Sequence, residues 1–328
     1  MKYIITCNEN AQSHLIYEIK HHPGMGTLTW LTETEAILES KLPIDKLNEV
    51  IRTTPIVFIR HLFEIIDQEP FETAGDLIER AHIDKNHSFA IQIRSEKAFR
   101  EEAVAFRNDW ADQLVAQGYT LDVKNPERVI SLYFHEWTIY YGYNTPQLQL
   151  SKWSGGMIHF SRDLALISRA EFKLREVFDV FNIPVDPNGL AVDLGAAPGG
   201  WTWVLQERGY HVIAVDPAKL DPRVAKLKGV THYKDTAQHF LDSVHDTKYA
   251  MVVNDMKMSS KLSVELFANV ASHLEDHGWG IITIKMGKNF QYTHVLLALA
   301  QLRKSVRIEA ARQLFHNRSE FTVIVRKR

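Results

Sequence analysis

The hydrophobic and polar positions of residues 1–66 predict two helices among four strands. Apolar residues recur at helical spacing in residues 11–21, where Leu15, Ile16 and Ile19 share one face. The strands and helices alternate as βαββαβ, over residues 2–7, 11–21, 27–31, 35–40, 44–52 and 56–66. This order is the ferredoxin-like α+β motif, which we assign to residues 1–68. The motif hosts unrelated functions and therefore predicts no activity.

Residues 69–150 continue with a second α+β pattern. The predicted helices cover 71–81 and 99–117, and the predicted strands cover 88–94, 120–123, 128–134 and 138–142. Asn125, Pro126 and Glu127 form a turn between two of these strands. Residues 151–165 lack a clean period and contain Gly155 and Gly156. We therefore predict that they link this region to the last domain.

The last domain, residues 166–328, is predicted to alternate strands with helices and to close on a hairpin. Its first helix begins with a capping box, in which Ser168 caps the helix and Glu171 reaches back. Further helices are predicted over 263–274 and 292–303. The predicted strands cover 190–194, 211–215, 230–233, 250–253, 280–284, 308–314 and 321–325. Seven strands in this arrangement are typical of the Rossmann-like α/β sheet of class I methyltransferases.

A glycine-rich turn lies between the first strand of this domain and its next helix. The turn reads Gly195-Ala196-Ala197-Pro198-Gly199-Gly200, and the following strand ends at Asp216. This layout is typical of nucleoside-binding βαβ units, in which the carboxylate accepts the ribose hydroxyls. A dinucleotide fingerprint would need glycine at Ala197, and Pro198 and Trp201 suit a smaller ligand without pyrophosphate. The sequence therefore favours S-adenosylmethionine, and a glycine turn without a ligand is the alternative.

Cysteine usage and hydropathy exclude several classes of protein. Cys7 is the only cysteine in 328 residues, so disulfides within the chain and cysteine-based zinc sites are excluded. We expect no metal. The amino terminus turns polar after six residues, too early for a signal peptide, and no apolar run has the length of a membrane span. These features predict a cytoplasmic protein without a membrane partner.

The charges are distributed unevenly along the chain. Residues 1–165 contain 16 Lys and Arg against 23 Asp and Glu, whereas residues 166–328 contain 22 against 17. The last thirty residues are especially basic, through Arg303, Lys304, Arg307, Arg312, Arg318, Arg326, Lys327 and Arg328. A basic surface suits a polyanionic partner such as RNA, although such charges also serve solubility alone.

Four charged residues are predicted to meet at one edge of the last sheet. Asp255 and Lys285 follow predicted strands, Glu320 precedes the final antiparallel strand, and Lys173 comes from the helix before the sheet. Such a group beside a methyl donor could activate a sugar hydroxyl. A lysine accepts the proton if burial and a second cation depress its pKa, whereas Asp255 raises the pKa of Lys285. Lys285 is therefore either a base or a stabiliser of the developing oxyanion.

Several segments resemble the FtsJ-like ribose 2′-O-methyltransferases: SRAEFKL, VDLGAAPGGWT, VNDM, TIKM and RSEFTV. Within that family the likeness is to the larger bacterial 23S rRNA cytidine enzymes that carry a THUMP domain, and ARQLFH approximates their end pattern. Residues 120–144 resemble the end of a THUMP domain, an RNA-binding module, which we assign to residues 69–150. The resemblance implies a substrate in RNA, foremost 23S rRNA.

The resemblance also implies roles for individual residues. Lys173, Asp255, Lys285 and Glu320 would be catalytic, with Lys285 as the proton acceptor. The methionine part of the donor would be surrounded by Gly195, Ala197, Pro198, Gly199, Gly200 and Trp201. Asp216 would hold the ribose and Asp235 would lie near the adenine, with Asp255 also beside the sulfonium.

Other classes of enzyme lack a residue that they need. A cytosine C5 methyltransferase requires a cysteine nucleophile, and Cys7 lies outside the last domain. Exocyclic-amine methyltransferases carry an Asn/Asp-Pro-Pro-aromatic turn, where this chain has Asn254-Asp255-Met256-Lys257. An NAD-dependent oxidoreductase is disfavoured by Ala197. A non-catalytic RNA-binding or ribosome assembly factor that retains the fold stays open as the alternative, and the presence of all four charged residues argues against it.

Overall fold

The computed structural model describes residues 1–22, 24–160, 165–243 and 246–328. Contacts divide the chain into two compact units, Met1–Ile158 and His159–Arg328. Part of the predicted linker, residues 151–158, lies in the first unit, where Ser154 Oγ donates to the Ile93 carbonyl and Arg60 Nε donates to the Gly155 carbonyl. Residues 161–164 of that linker lie outside the described residues. The boundaries at residues 68 and 150 stay predictions.

The first unit begins with an antiparallel sheet whose strand order is β2-β3-β1-β4, the order of a ferredoxin-like fold. Its elements are β1 (Lys2–Thr6), α1 (Gln12–His21), β2 (Thr27–Trp30), β3 (Glu35–Glu39), α2 (Ile44–Thr53) and β4 (His61–Glu64). Strand β4 begins later than predicted, because Glu18, buried on α1, binds the backbone N–H groups of residues that precede β4. Its carboxylate accepts from the N–H groups of Val57 at 2.7 Å and Phe58 at 3.0 Å.

A second sheet in the same unit has the order β5-β8-β7-β6, with β6 and β7 parallel and the other pairs antiparallel. Its elements are β5 (Asp67–Pro70), α3 (Ala74–Arg80), β6 (Phe89–Ser95), α4 (Arg100–Ala116), β7 (Arg128–His135) and β8 (Thr138–Asn144). The predicted strand over 120–123 is wrong, because only an isolated bridge joins Leu121 to Phe89. There Asp122 Oδ1 turns the chain by accepting from the N–H groups of Lys124 and Asn125.

In the described part of the second unit, a seven-stranded sheet has the order β11-β10-β9-β12-β13-β15-β14. Its strands are β9 (Leu190–Leu194), β10 (His211–Val215), β11 (Val230–Tyr233), β12 (Tyr249–Asn254), β13 (Leu274–Lys285), β14 (Val306–Arg312) and β15 (Glu320–Lys327). Strands β9 to β13 are parallel, and β15 runs antiparallel to both of its neighbours. The predicted seven-stranded Rossmann-like sheet is therefore confirmed.

The helices of this unit pack against that sheet. They are α5 (Glu171–Phe181), α6 (Gly200–Glu207), α7 (Pro222–Ala225), α8 (Ala237–Ser243), α9 (Ser260–Ala271) and α10 (Tyr292–Leu302). All residues of β12 are buried, as expected of a parallel strand covered on both faces. Leu174, Val177 and Phe178 of α5 join the main core cluster and so fix that helix against the sheet. No helix in the four described ranges is long and apolar enough to cross a membrane.

Candidate active site

The structure brings Lys173, Asp255, Lys285 and Glu320 together. Lys173 Nζ lies 3.2 and 3.1 Å from the two carboxylate oxygens of Asp255 and 2.8 Å from Glu320 Oε1. Lys285 Nζ donates a hydrogen bond to Asp255 Oδ1 and lies 4.0 Å from Glu320 Oε2. The four side chains are only 10–21% exposed. Two cations and two anions thus share one partly desolvated cluster, which we call the tetrad.

The strand ends explain why these residues meet. Asp255 directly follows β12, and Lys285 is the last residue of β13. Because β15 runs in the opposite direction, its first residue, Glu320, reaches the same edge and pairs across from Lys285. Lys173 reaches the edge from α5. Parallel sheets of this type bind ligands at the carboxyl ends of their strands, so the tetrad lies where a substrate is expected.

Thr283 belongs to this cluster and was missed by the sequence reasoning. Its hydroxyl donates to Asp255 Oδ1 and accepts from Lys285 Nζ at 3.0 Å, and the residue is fully buried. Thr283 and Lys285 are two apart on one strand and therefore project from the same face. That spacing is the signal in the sequence that points to it. Thr283 holds the lysine and the carboxylate in a fixed relation.

The two lysines of the tetrad have opposite pKa shifts. Burial lowers the pKa of Lys173, but the adjacent carboxylates of Asp255 and Glu320 outweigh it, so the pKa is raised. Burial also lowers the pKa of Lys285, and the positive charge of Lys173 adds to this effect. The attraction of Asp255 opposes the shift without reversing it. Lys285 is therefore the amine that gives up its proton more readily.

The glycine-rich turn leaves β9 at the same edge of the sheet. Gly195 has a φ of +76°, and a Cβ on it would lie 2.3 Å from Met256 Cγ. Gly199 has a φ of +114°, and the peptide bond between Ala197 and Pro198 is cis. The chain therefore needs glycine at two points to follow this path. The turn leads directly into α6, whose first N–H groups have no partner within the helix.

Of the predicted capping box, only the part made by Glu171 is present. Ser168, the other predicted member, lies against Gly200. Glu171 Oε1 accepts from the N–H groups of Ile167 at 2.6 Å and Ser168 at 3.2 Å, but Ser168 makes no side-chain cap and α5 starts at Glu171. Ser168 Oγ instead lies 2.3 Å from the position of a Cβ on Gly200. Gly200 thus lets α6 approach the segment before α5.

Three other predicted cofactor residues have partners within the protein. Asp216 follows β10, and its carboxylate accepts from the N–H groups of Ala197 at 3.0 Å and Ala218 at 2.8 Å. Asp235 lies beyond β11 and accepts from the Thr236 N–H and from His239 Nδ1. The side chain of Trp201 is buried and donates from Nε1 to the Ala170 carbonyl at 2.8 Å. Trp201 therefore ties α6 to the segment before α5.

Asp193, in β9 beneath the turn, is fully buried and accepts a hydrogen bond from Thr202 Oγ1 at 2.7 Å. Burial raises the pKa of Asp193 to about 7, against the smaller effect of the Thr202 hydrogen bond. The folded pKa thus exceeds the unfolded one, so the native state binds the extra proton and loses stability as pH rises towards 7. We expect Asp193→Asn, which keeps an acceptor for Thr202, to remove this loss.

Urea unfolding at several pH values measures this effect. The free energy of unfolding of the Asn variant minus that of the wild type should increase as pH rises towards 7. Well above pH 7 this difference should stay constant. Parallel pH profiles for the two proteins would show that Asp193 stays charged in the fold.

In the ranges that the structure describes, no three His, Cys, Asp or Glu side chains are grouped to hold a metal ion. His273 and His277 are four residues apart, a spacing that suits a metal site when it falls on one helix. Here His273 lies in the turn after α9 and His277 lies in β13.

Residues 166–314 match the family described as FtsJ-like methyltransferase. The match includes the glycine-rich turn and every residue of the tetrad except Glu320.

Relatives of known name match about half of the chain. "Ribosomal RNA large subunit methyltransferase M" of Edwardsiella ictaluri is 36% identical over 176 residues, which cover 49% of this chain and 45% of the relative. The protein of the same name from Halorhodospira halophila is 31% identical over 180 residues, which cover 53% and 51%. The chain thus spans about half the length of the relatives that it matches. Among solved structures, TrmN from Thermus thermophilus aligns over 100% of both chains with 12% identity and a TM-score of 0.41.

Proposed function

We propose that this protein, whose residues 166–314 match the FtsJ-like methyltransferase family, methylates a ribose 2′-hydroxyl in RNA with S-adenosylmethionine as donor. The observation that carries the proposal is the tetrad, which lies at the same edge of the sheet as the glycine-rich turn. The lysines of the tetrad can activate a poorly acidic hydroxyl, and the turn can receive a nucleoside.

The residues around the turn fit the donor. Its path requires glycine at Gly195 and Gly199, which have a positive φ and where a Cβ would clash with the side chains of Met256 and Val224. Asp216 stands at the end of β10, where a carboxylate can accept the ribose hydroxyls. Asp235 would lie near the adenine and Asp255 near the sulfonium. When bound, S-adenosylmethionine supplies a methyl group on a positively charged sulfur, which makes that carbon electrophilic.

The tetrad supplies the rest of the chemistry. Lys285 takes the proton from the 2′-hydroxyl at its Nζ, since its pKa is lowered by burial and by Lys173. The charged Lys173 would stabilise the negative charge that develops on the 2′-oxygen as its proton leaves. Asp255 and Glu320 hold the two amines in place.

The substrate class follows from the relatives and from the charges. The relatives are named for the large-subunit ribosomal RNA, which supports 23S rRNA, or a precursor of it, as the substrate of this protein. The basic residues of the last thirty positions suit the phosphates of such an RNA. A substrate of this kind supports a cytoplasmic location, which is part of the same proposal. The THUMP-like region at residues 69–150 is part of the same proposal, as an RNA-binding module.

The proposed function is tested by methylation of rRNA from a strain that lacks the gene. The protein is incubated with S-adenosylmethionine and this rRNA, and the nucleosides of the digested RNA are compared by mass with those from the parent strain. A single restored nucleoside that carries its methyl group on the ribose supports the proposal. A methyl group on a base contradicts it, and rRNA binding without any transfer would favour the assembly factor.

Lys173→Met should shift the pH dependence of methyl transfer to higher pH. The rate rises with pH as Lys285 loses its proton, and Lys173 helps to lower that pKa. Without this cation, a higher pH is needed for the same fraction of neutral Lys285. The measurement is the pH profile of single-turnover transfer at saturating donor. Lys261→Met, on the exposed side of α9, is the control and should keep the wild-type profile. An unshifted profile in Lys173→Met would show that Lys285 is not the base.

A further inference from the structure

Glu176 is a buried carboxylate on α5, three residues after Lys173, and it takes no part in the proposed chemistry. Its Oε1 accepts from the Phe315 N–H, and its Oε2 accepts from both the N–H and Nδ1 of His316, each at 2.8 Å. Residues three apart on a helix lie on the same face. One face of α5 therefore contacts both the tetrad and the segment that contains Phe315 and His316.

That segment is the β14–β15 loop, residues 313–319, which ends at Glu320. Within it, Asn317 Oδ1 accepts from the Leu314 N–H at 2.8 Å and from Thr322 Oγ1 at 3.0 Å. Its last carbonyl, on Ser319, accepts from the Met286 N–H at 2.7 Å. The loop is thus braced internally and fixed at its end to Met286, the residue that follows β13. Glu176 binds the backbone of its middle and so ties it to α5.

Two polar links join α5 to this short stretch of chain, beside the contact between the rings of Phe172 and His316. Glu176 binds the backbone at Phe315 and His316, and Lys173 binds the side chain of Glu320 at 2.8 Å. We infer that Glu176 is a positioning residue, which holds the β14–β15 loop so that Glu320 reaches Lys173. This inference rests on the proposed function, since it gives a catalytic consequence to the placement of Glu320.

Glu176→Gln is the informative substitution. The amide keeps the size of the side chain but replaces one acceptor oxygen with a donor, so a buried backbone N–H loses its partner. The middle of the loop is then held less firmly, and Glu320 no longer meets Lys173 at a fixed distance. We expect kcat for methyl transfer to fall by about tenfold, because small misplacements of catalytic groups are costly. Binding of S-adenosylhomocysteine should stay unchanged, since Glu176 does not contact the glycine-rich turn.

The first unit offers a matched control in Glu18. This residue is also buried on a helix, and its carboxylate accepts from two consecutive backbone N–H groups, those of Val57 and Phe58. Glu18→Gln should therefore destabilise the protein to a comparable degree. At saturating RNA this variant should leave kcat unchanged, because Glu18 does not hold a segment that carries a tetrad residue. A purely structural effect would lower kcat in both variants.

A double-mutant cycle decides whether Glu176 acts through Glu320. If it does, adding Glu176→Gln to Glu320→Gln lowers kcat no further than Glu320→Gln alone. Independent, multiplying effects would overturn the inference, as would a wild-type kcat in Glu176→Gln.

Limited trypsin digestion gives a readout that does not depend on activity. Arg318 lies exposed in the β14–β15 loop, so cleavage after it reports on how firmly the loop is held. Cleavage there should be faster in Glu176→Gln than in Glu18→Gln, and equal rates would contradict the anchoring. A wild-type protein that transfers no methyl group would reject the proposed function, whereas the cleavage rates still decide whether Glu176 anchors the loop.

Discussion

Lys285→Met is expected to lower the rate of methyl transfer by roughly a thousandfold, the scale of a lost general base in a tuned site. Methionine keeps the apolar stem that packs at the end of β13 but has no amine to accept the 2′-hydroxyl proton. Asp255 would then lose one of its two lysine partners, while Lys173 still neutralises it. Single-turnover transfer to rRNA, at saturating S-adenosylmethionine, measures the loss.

The control for this prediction is again Lys261→Met, which removes an exposed lysine and should keep the full rate. Binding of S-adenosylhomocysteine should remain intact in Lys285→Met, because Lys285 contacts Asp255 and Thr283 rather than the turn. Full methyl transfer by Lys285→Met would remove the tetrad from the mechanism. A rate lowered only through weaker cofactor binding would assign Lys285 to the donor instead.

Gly195→Ala is expected to be the most damaging small substitution in the second unit. The residue has a φ of +76°, and its new Cβ would lie 2.3 Å from Met256 Cγ. Backbone strain and the displaced Met256 side chain together should cost about 2–4 kcal/mol of unfolding free energy. Met256 follows Asp255, so the tetrad should be disturbed as well. Urea unfolding measures the first effect, and calorimetry with S-adenosylhomocysteine measures the expected fall in affinity.

Gly118→Ala separates strain from steric clash. Gly118 has a φ of +89°, but nothing lies within 4 Å of a Cβ placed on it. This variant should lose only the strain energy, about 1–2 kcal/mol, and should bind the cofactor normally. If Gly195→Ala bound S-adenosylhomocysteine as well as Gly118→Ala does, the turn would not be the binding site for the donor.

The fold of the second unit was predictable because its central strands are short apolar runs that stand out in the sequence. Residues 190–194 and 250–253 are short, mostly apolar runs, the first followed by the glycine-rich turn and the second by Asn254 and Asp255, and both form central strands. The predictions fail where contacts with distant parts of the chain determine the secondary structure. Strand β5 reads Asp-Gln-Glu-Pro, a polar sequence that becomes a strand only because β8 pairs with it. The start of β4 depends on Glu18, whose hydrogen bonds reach about forty residues along the chain.

The candidate site shows the same division. The tetrad could be named because strand ends share an edge, a rule that needs no side-chain detail. Thr283 was missed since threonine is common in strands for reasons of shape alone. Trp201 resembles a ligand-facing aromatic in the sequence, but its ring lies in the core and its indole N–H binds Ala170. The roles assigned to the tetrad and to the cofactor residues stay predictions until the variants are measured.

Lys285 pairs with Glu320 across β13 and β15, so the site depends on the register of these two strands. Side chains of a strand alternate between faces, so a slip of one residue in β15 would turn Glu320 away and offer the ring of Phe321 to the lysines instead. A slip of two would return Glu320 to the correct face, but it would place Thr322 opposite Lys285. If an insertion or deletion in the β14–β15 loop shifts β15, an odd number of residues therefore turns Glu320 away from the lysines, whereas an even number keeps it on their face.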